Sequence, residues 1–102
     1  MQMIKRTRGD DWGIAVEISG VDIEEATFRA QSRPREDSEE FHEWTCTKDE
    51  SATPSPRVDC SLPAHITQTI DRDVMWDLEM TLDGTVQTLT QLRINVVKDV
   101  TR

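Results

Sequence analysis

Apolar and polar residues alternate through residues 74–82, and this pattern is the strongest structural signal in the chain. Valine, tryptophan, leucine and methionine occupy the even positions from Val74 to Leu82, and most odd positions are polar. A period of two predicts a β-strand with one buried face and one solvated face. Asp83-Gly84 follows and is typical of a two-residue hairpin turn, because both residues accept positive φ. A second β-rich run, ending near Val97, completes the predicted hairpin.

The apolar pattern of this hairpin is interrupted once. If the turn has two residues, Leu78 pairs with Leu89, whereas Leu92 and Ile94 have the opposite parity. One extra residue must therefore be absorbed if both apolar sets are to face the core. We predict a β-bulge or a strand break between Leu89 and Leu92.

Five more short strands and one helix are predicted in the rest of the chain. The strands cover residues 3–7 at an edge, 12–18, 26–31, 41–47 and 58–62, and the helix covers residues 63–70. Gly9 and its aspartate neighbours predict a turn at residues 8–11, and residues 48–56 predict a mobile loop with two prolines. The alternation of the fourth strand is irregular, because Phe41 and Trp44 have opposite parity.

The third strand has a competing interpretation. Asp22 followed by Glu25 is compatible with a helix N-terminus, and Ile23, Ala26 and Ala30 have helical spacing. The alternation of residues 26–31 instead favours a turn at residues 22–25 followed by a strand, and we prefer this reading.

Seven short strands separated by turns predict an all-β sandwich or small barrel. The chain has 102 residues, which suits a single domain spanning residues 1–102. The alternation predicts a core that includes the following residues: Trp12, Ile14, Val16, Phe28, Leu78 and Ile94.

Charge is unevenly distributed along an acidic chain. Twenty acidic and twelve basic residues give a net charge of −8, which disfavours nucleic acid as a partner. Cations concentrate at the two ends, whereas acidic residues dominate the middle of the chain. This polarity favours docking onto another protein chain, although a solvated face is an open alternative. The predicted interface residues are Met3, Ile4, Lys5, Arg6, Arg8, Lys98 and Arg102.

The sequence predicts neither secretion nor insertion into a membrane. Residues 1–8 become charged without an apolar segment, so we expect no signal peptide. No apolar run reaches the length of a transmembrane helix. Cys46 and Cys60 flank the 48–56 loop, so a cross-strand disulfide is conceivable, but two reduced, buried thiols are favoured in a cytoplasm.

No pattern in the chain predicts catalysis, a cofactor or a metal ion. His42, Cys46, Cys60 and His65 are the only soft metal ligands. Four residues along a strand separate His42 from Cys46 by about 13 Å, which is too far for a shared zinc ion. No phosphate-binding glycine loop or nucleophile–base motif is present. We therefore expect a protein that is not an enzyme.

Three phrases of the sequence carry a family resemblance. They are residues 7–12 (TRGDDW), residues 22–31 (DIEEATFRAQ), and residues 76–79 (WDLE) continued by 83–86 (DGTV) and 99–102 (DVTR). With them, the chain resembles the small immunoglobulin-like structural proteins of tailed bacteriophages and prophages, and it is similar to the N-terminal domain of upper baseplate proteins. Its acidic residues 36–50 and its long 47–56 loop depart from that pattern.

The resemblance implies an immunoglobulin-like antiparallel β-sandwich and a structural role in a virion. Such a subunit belongs to the tail, baseplate or tail tip, and it docks to copies of itself and to other phage structural proteins. It resides in the host cytoplasm before assembly. Two alternatives stay open: a capsid decoration or head–tail joining protein, and a soluble carbohydrate- or protein-binding adaptor.

Overall fold

The computed structural model describes residues 2–20, 22–35, 39–53 and 55–98, and these residues form seven strands and one short helix. The strands are β1 (Gln2–Thr7), β2 (Trp12–Glu17), β3 (Thr27–Arg33), β4 (His42–Asp49), β5 (Arg57–Leu62), β6 (Val74–Leu82) and β7 (Thr85–Val97). The helix is α1 (Ala64–Thr67). The described chain is therefore all-β apart from a single helical turn.

The seven strands lie in the order β1-β7-β6-β3-β4-β5-β2, and β4 joins two layers. Its first part, from His42 to Trp44, pairs with β3, and its second part, from Thr45 to Asp49, pairs with β5. One layer thus holds β1, β7, β6 and β3, while β2 and β5 form the other, so the strands make a two-layered β-sandwich. The predicted fold class is confirmed.

The pairing of β1 corrects the expectation of a wholly antiparallel sheet. β1 lies at an edge, as predicted, but it runs parallel to β7 from the Gln2–Leu92 pair to the Thr7–Val97 pair. No hairpin joins these two strands, because the turn at residues 8–11 leads the chain into β2 of the other layer. Their relative direction is consequently set by the sandwich and not by a tight turn.

Three tryptophans occupy the space between the layers. The ring centroids of Trp12 and Trp44 are 6.3 Å apart, and those of Trp44 and Trp76 are 5.8 Å apart in an edge-on arrangement. All three side chains are buried. The Trp12 indole Nε1–H also donates to the carbonyl oxygen of Thr7 at 2.8 Å, so burial leaves this polar group satisfied.

The predicted core is confirmed for Trp12, Leu78 and Ile94, which are at most 1% exposed. Ile14, Val16 and Phe28 are only partly buried and pack against the margin of the core. Ile14 and Val16 belong to β2, an edge strand with a neighbour on one side alone. Phe28 lies near the start of β3.

The hairpin forms with the predicted turn, but its bulge is displaced. Asp83 and Gly84 both have positive φ, 52° and 77°, as the two-residue turn requires. Glu79 pairs with Thr88 and Leu78 with Thr90, so Leu89 is the extra residue. The predicted Leu78–Leu89 pair is wrong, whereas the predicted extra residue is confirmed and is Leu89, at the start of the predicted interval. Because Leu89 is the extra residue, its side chain packs against the core, and Leu92 and Ile94 after it are still buried.

The turn at residues 22–25 precedes β3, which confirms the preferred reading of this region. The Lys48 ammonium group closes the turn by donating to the carbonyl oxygens of Ile23, Glu24 and Ala26 at 3.2, 2.8 and 3.0 Å. Lys48 was expected in the loop, but β4 continues through Asp49, and the loop starts only at residue 50. The extension follows from the pairing of Lys48 with Val58 and of Asp49 with Arg57 in β5.

Phe41 precedes β4 and is 46% exposed, while Trp44 is buried within the strand. The opposite parity of these two residues therefore does not require a bulge, because only Trp44 belongs to the paired strand.

Over the described residues, no helix is long and apolar enough to cross a lipid bilayer.

Candidate functional site

The predicted interface residues divide into exposed and internally bonded groups. Met3 is 56% exposed, and Lys5 and Lys98 are also exposed, whereas Ile4 packs against the core. Arg102 lies outside the described residues. The surface near β1 therefore offers two cations and one large apolar side chain to a neighbour.

Two predicted interface arginines make hydrogen bonds within their own chain. Arg6 donates to the carbonyl oxygens of Lys5 and Gly13 at 2.8 and 3.0 Å, which links β1 to β2. The Arg8 guanidinium Nε–H donates to the carbonyl oxygen of Gln68 at 2.7 Å, next to α1. Both side chains thus support the fold, and strand pairing with β7 holds residues 2–7 within the same chain.

Strand β7 has one edge that β1 covers only in part. β7 has thirteen residues and β1 has six, and β1 pairs solely with residues 92–97. Among the described residues, no strand pairs with the corresponding edge of residues 85–91, which we call the open β7 edge. Backbone N–H and C=O groups on such an edge can pair with another strand.

The open β7 edge lacks most features that prevent strand addition. Its sequence, TVQTLTQ, contains no charge, proline or glycine, and Val86 is 59% exposed. Edge strands are commonly protected by charged residues, proline or short length. The other two edge strands, β1 and β2, have six residues each and contain Lys5, Arg6 and Glu17. The bulge at Leu89 is the one irregularity that the pairing shows along the open β7 edge.

The sequence pattern predicts an interface at the cationic segment of β1. The structure adds a second unpaired edge next to it, in residues 85–91 of β7. The sequence showed only that the predicted strand at residues 3–7 is much shorter than the run after Gly84. This difference in length predicts an open edge only if β1 is known to pair with the C-terminal half of β7.

A second distinctive polar site lies on the outer face of β6, where Asp77 is half-buried. Its carboxylate Oδ1 is inaccessible to solvent and has no hydrogen-bond partner among the described residues. Burial raises the pKa of Asp77 above its ordinary value, and Glu79 adds to this effect, while Arg33 and Arg29 oppose it. The site is a small cleft of about 290 Å³ beside Arg33 and Gln91.

Replacing Asp77 should change stability in a pH-dependent way. The raised pKa means that the folded state holds the proton more tightly, so ionisation disfavours folding as pH rises through the folded-state pKa. Asp77→Asn should therefore increase the free energy of unfolding at pH 7. The gain should disappear below the usual aspartate pKa of about 3.9. Urea unfolding across this pH range, with Asp10→Asn at an exposed carboxylate as the charge-matched control, measures the effect; a gain that grows towards acid pH would contradict it.

A cleft near the start of β4 has a volume of about 540 Å³. Phe41, His42 and Ile70 contribute to its lining, together with the charged side chains of Glu39 and Arg72. This volume lies within the range of small-molecule sites, but the cleft is wide open and strongly charged. It is the feature that best suits a ligand-binding adaptor.

The structure brings the two cysteines together but not the two histidines. Cys46 and Cys60 are directly opposite on β4 and β5, and their Sγ atoms are 3.8 Å apart. Within the described chain, the group of three metal-ligating side chains is instead Asp22, Glu24 and Glu50, which are all exposed. An exposed acidic group of this kind is common without an ion, and it assigns no metal site.

No protein-family model matches this chain, and no curated protein is significantly similar to it.

Proposed function

We propose that this protein is a structural subunit of a tailed-bacteriophage virion, in the tail, baseplate or tail tip. It docks to neighbouring subunits through the open β7 edge. The observation that carries the proposal is the seven-residue uncharged edge, which has no partner strand among the described residues. The resemblance of residues 7–12, 22–31 and 76–86 to phage immunoglobulin-like proteins supplies the virion setting.

A second copy of the chain fits this edge. Two copies with a net charge of −8 repel each other, yet any antiparallel register within residues 85–91 places only uncharged side chains opposite one another. Antiparallel pairing of identical strands about a two-fold axis buries the same edge on both subunits. The backbone hydrogen bonds then provide affinity, while threonine and glutamine side chains can pair across the interface.

The exposed cations have a secondary role in this arrangement. Lys5 and Lys98 are exposed on an acidic molecule, so they can steer a neighbouring acidic surface into place. Each such rim contact contributes about 0–1 kcal/mol and weakens as salt increases. They would influence the rate of assembly more than its final stability.

A charged substitution on the open β7 edge should impair docking without unfolding the domain. In Thr88→Lys, the new ammonium group either lies opposite the same group of the second copy or loses its hydration in the interface. The self-association constant should therefore fall at least about tenfold. Thr45→Lys is the matched control, because Thr45 is also exposed but lies in the interior strand β4, where it pairs with Ser61 of β5. Analytical ultracentrifugation measures association, and circular dichroism verifies folding.

Particle composition tests the virion role itself. Mass spectrometry of purified phage particles should find this chain in many copies, with Thr88→Lys depleted and Thr45→Lys incorporated as the unsubstituted chain is. Absence of the chain from particles contradicts the virion role. Equal incorporation of both variants contradicts docking through the open β7 edge.

The cleft beside Phe41 supports a second candidate, a soluble adaptor that binds a small ligand or peptide. Its volume and exposed aromatic side chain are the specific observations in its favour. Such an adaptor would be monomeric and missing from purified particles. Phe41→Ala would then reduce ligand binding, whereas Thr88→Lys would leave it unchanged.

A further inference from the structure

The two cysteines face each other at the centre of the β4–β5 pairing. Cys46 is the direct cross-strand partner of Cys60, and both residues are reduced with their Sγ atoms 3.8 Å apart. Directly opposed residues of antiparallel strands have Cα atoms about 4.5–5.5 Å apart, and disulfides accept about 4.4–6.8 Å. Side-chain rotation can therefore close the bond without separating the strands.

The two thiols differ in accessibility and acidity. Cys46 is partly exposed, whereas Cys60 is 1% exposed. The hydrogen bond between them lowers the pKa of Cys46 to about 7, and the same hydrogen bond together with burial raises the pKa of Cys60. Because the thiolate is the nucleophile in disulfide exchange, an external reagent meets Cys46 first.

We propose that Cys46 and Cys60 form a reversible disulfide by exchange with a low-molecular-weight disulfide. The Cys46 thiolate attacks one sulfur of the reagent, forms a mixed disulfide and releases one thiolate. Cys60 then loses its proton and attacks the Cys46 sulfur, which expels the second thiolate. The protein loses two electrons and two protons, and the reagent is reduced to two thiols.

The resulting bond would join β4 to β5 close to the point where β4 changes layers. Trp44, two residues before Cys46, still pairs with β3, and the following residue already pairs with β5. The bond also closes the chain between residues 46 and 60, which includes the 50–56 loop. Constraint of this segment in the unfolded chain should raise the melting temperature. This inference concerns the thiols alone and does not rest on the virion role.

Exchange with oxidised glutathione tests the proposal on the folded protein. The monomer should lose about 2 Da and both titratable thiols, and its melting temperature should rise by about 10 °C or more. Dithiothreitol should reverse all three changes. Peptide mapping should recover a Cys46–Cys60 cross-link.

Single cysteine variants provide the controls. Cys60→Ser retains the accessible thiol and should stop at a glutathione adduct, whereas Cys46→Ser retains only the buried thiol and should stay unmodified. The proposal is overturned if the unsubstituted protein keeps both thiols, stops at the mixed disulfide, or forms only disulfides between chains. It is also overturned if the intramolecular bond forms only in denaturant.

Discussion

Trp12→Ala should lower the free energy of unfolding by about 3–5 kcal/mol, the largest effect we expect from a single substitution in this domain. Trp12 is 1% exposed, its ring centroid lies 6.3 Å from that of Trp44, and its indole N–H donates a hydrogen bond to the carbonyl oxygen of Thr7. Truncation leaves a cavity between the layers and removes the partner of that carbonyl. Native domains have only about 5–15 kcal/mol of stability, so a large share of it would be lost.

Phe41→Ala is the matched aromatic control for this prediction. Phe41 is 46% exposed and precedes β4, so its truncation should change stability by no more than about 0.5–1 kcal/mol. Chemical denaturation followed by circular dichroism compares the two variants independently of tryptophan fluorescence. Similar losses for both would show that Trp12 does not occupy the central core.

Thr67→Val should lower the free energy of unfolding by about 1–3 kcal/mol, although the side chain keeps its shape and volume. Thr67 is fully buried, and its Oγ1 accepts from the Gly9 N–H at 3.2 Å and donates to the Asp10 carbonyl oxygen at 2.7 Å. These two bonds attach the 8–11 turn to α1. Valine removes both bonds and leaves the Gly9 N–H and the Asp10 carbonyl group without their partner.

Thr69→Val is a closely matched control two residues away. The Thr69 hydroxyl is exposed and bonds only the Ile66 carbonyl oxygen within the same local turn, at 2.7 Å. Loss of this hydrogen bond should lower the free energy of unfolding by less than about 0.5 kcal/mol. Hydrogen exchange at Gly9 should accelerate in Thr67→Val alone; unchanged exchange there would refute the structural role of the Thr67 hydroxyl.

Local sequence patterns predicted the strands because the period of two reports directly which face of a strand is buried. The alternation of residues 74–82 located β6, and Asp83-Gly84 identified its turn, since positive φ at both residues is a local requirement. The parity conflict after Leu89 likewise required an extra residue in β7. Its location at Leu89 depended on core packing, which no local pattern contains.

The candidate site was only partly predictable for a related reason. Charge alone suggested that Arg6 and Arg8 face a partner, but their hydrogen bonds reach residues 7 and 60 positions away in sequence. The open β7 edge depends on where β1 ends on its neighbour, which is a long-range pairing register.

The sequence by itself thus determined the all-β class, the hairpin turn and the alternating core positions, because each depends on dihedral preferences or burial periodicity along one segment. Only the tertiary structure decided that β1 runs parallel to β7, that residues 85–91 stay uncovered, and that Cys46 faces Cys60. These features join residues that are distant in sequence. They are set by the packing of two layers around the tryptophans, and no short stretch of the sequence indicates how those layers pack.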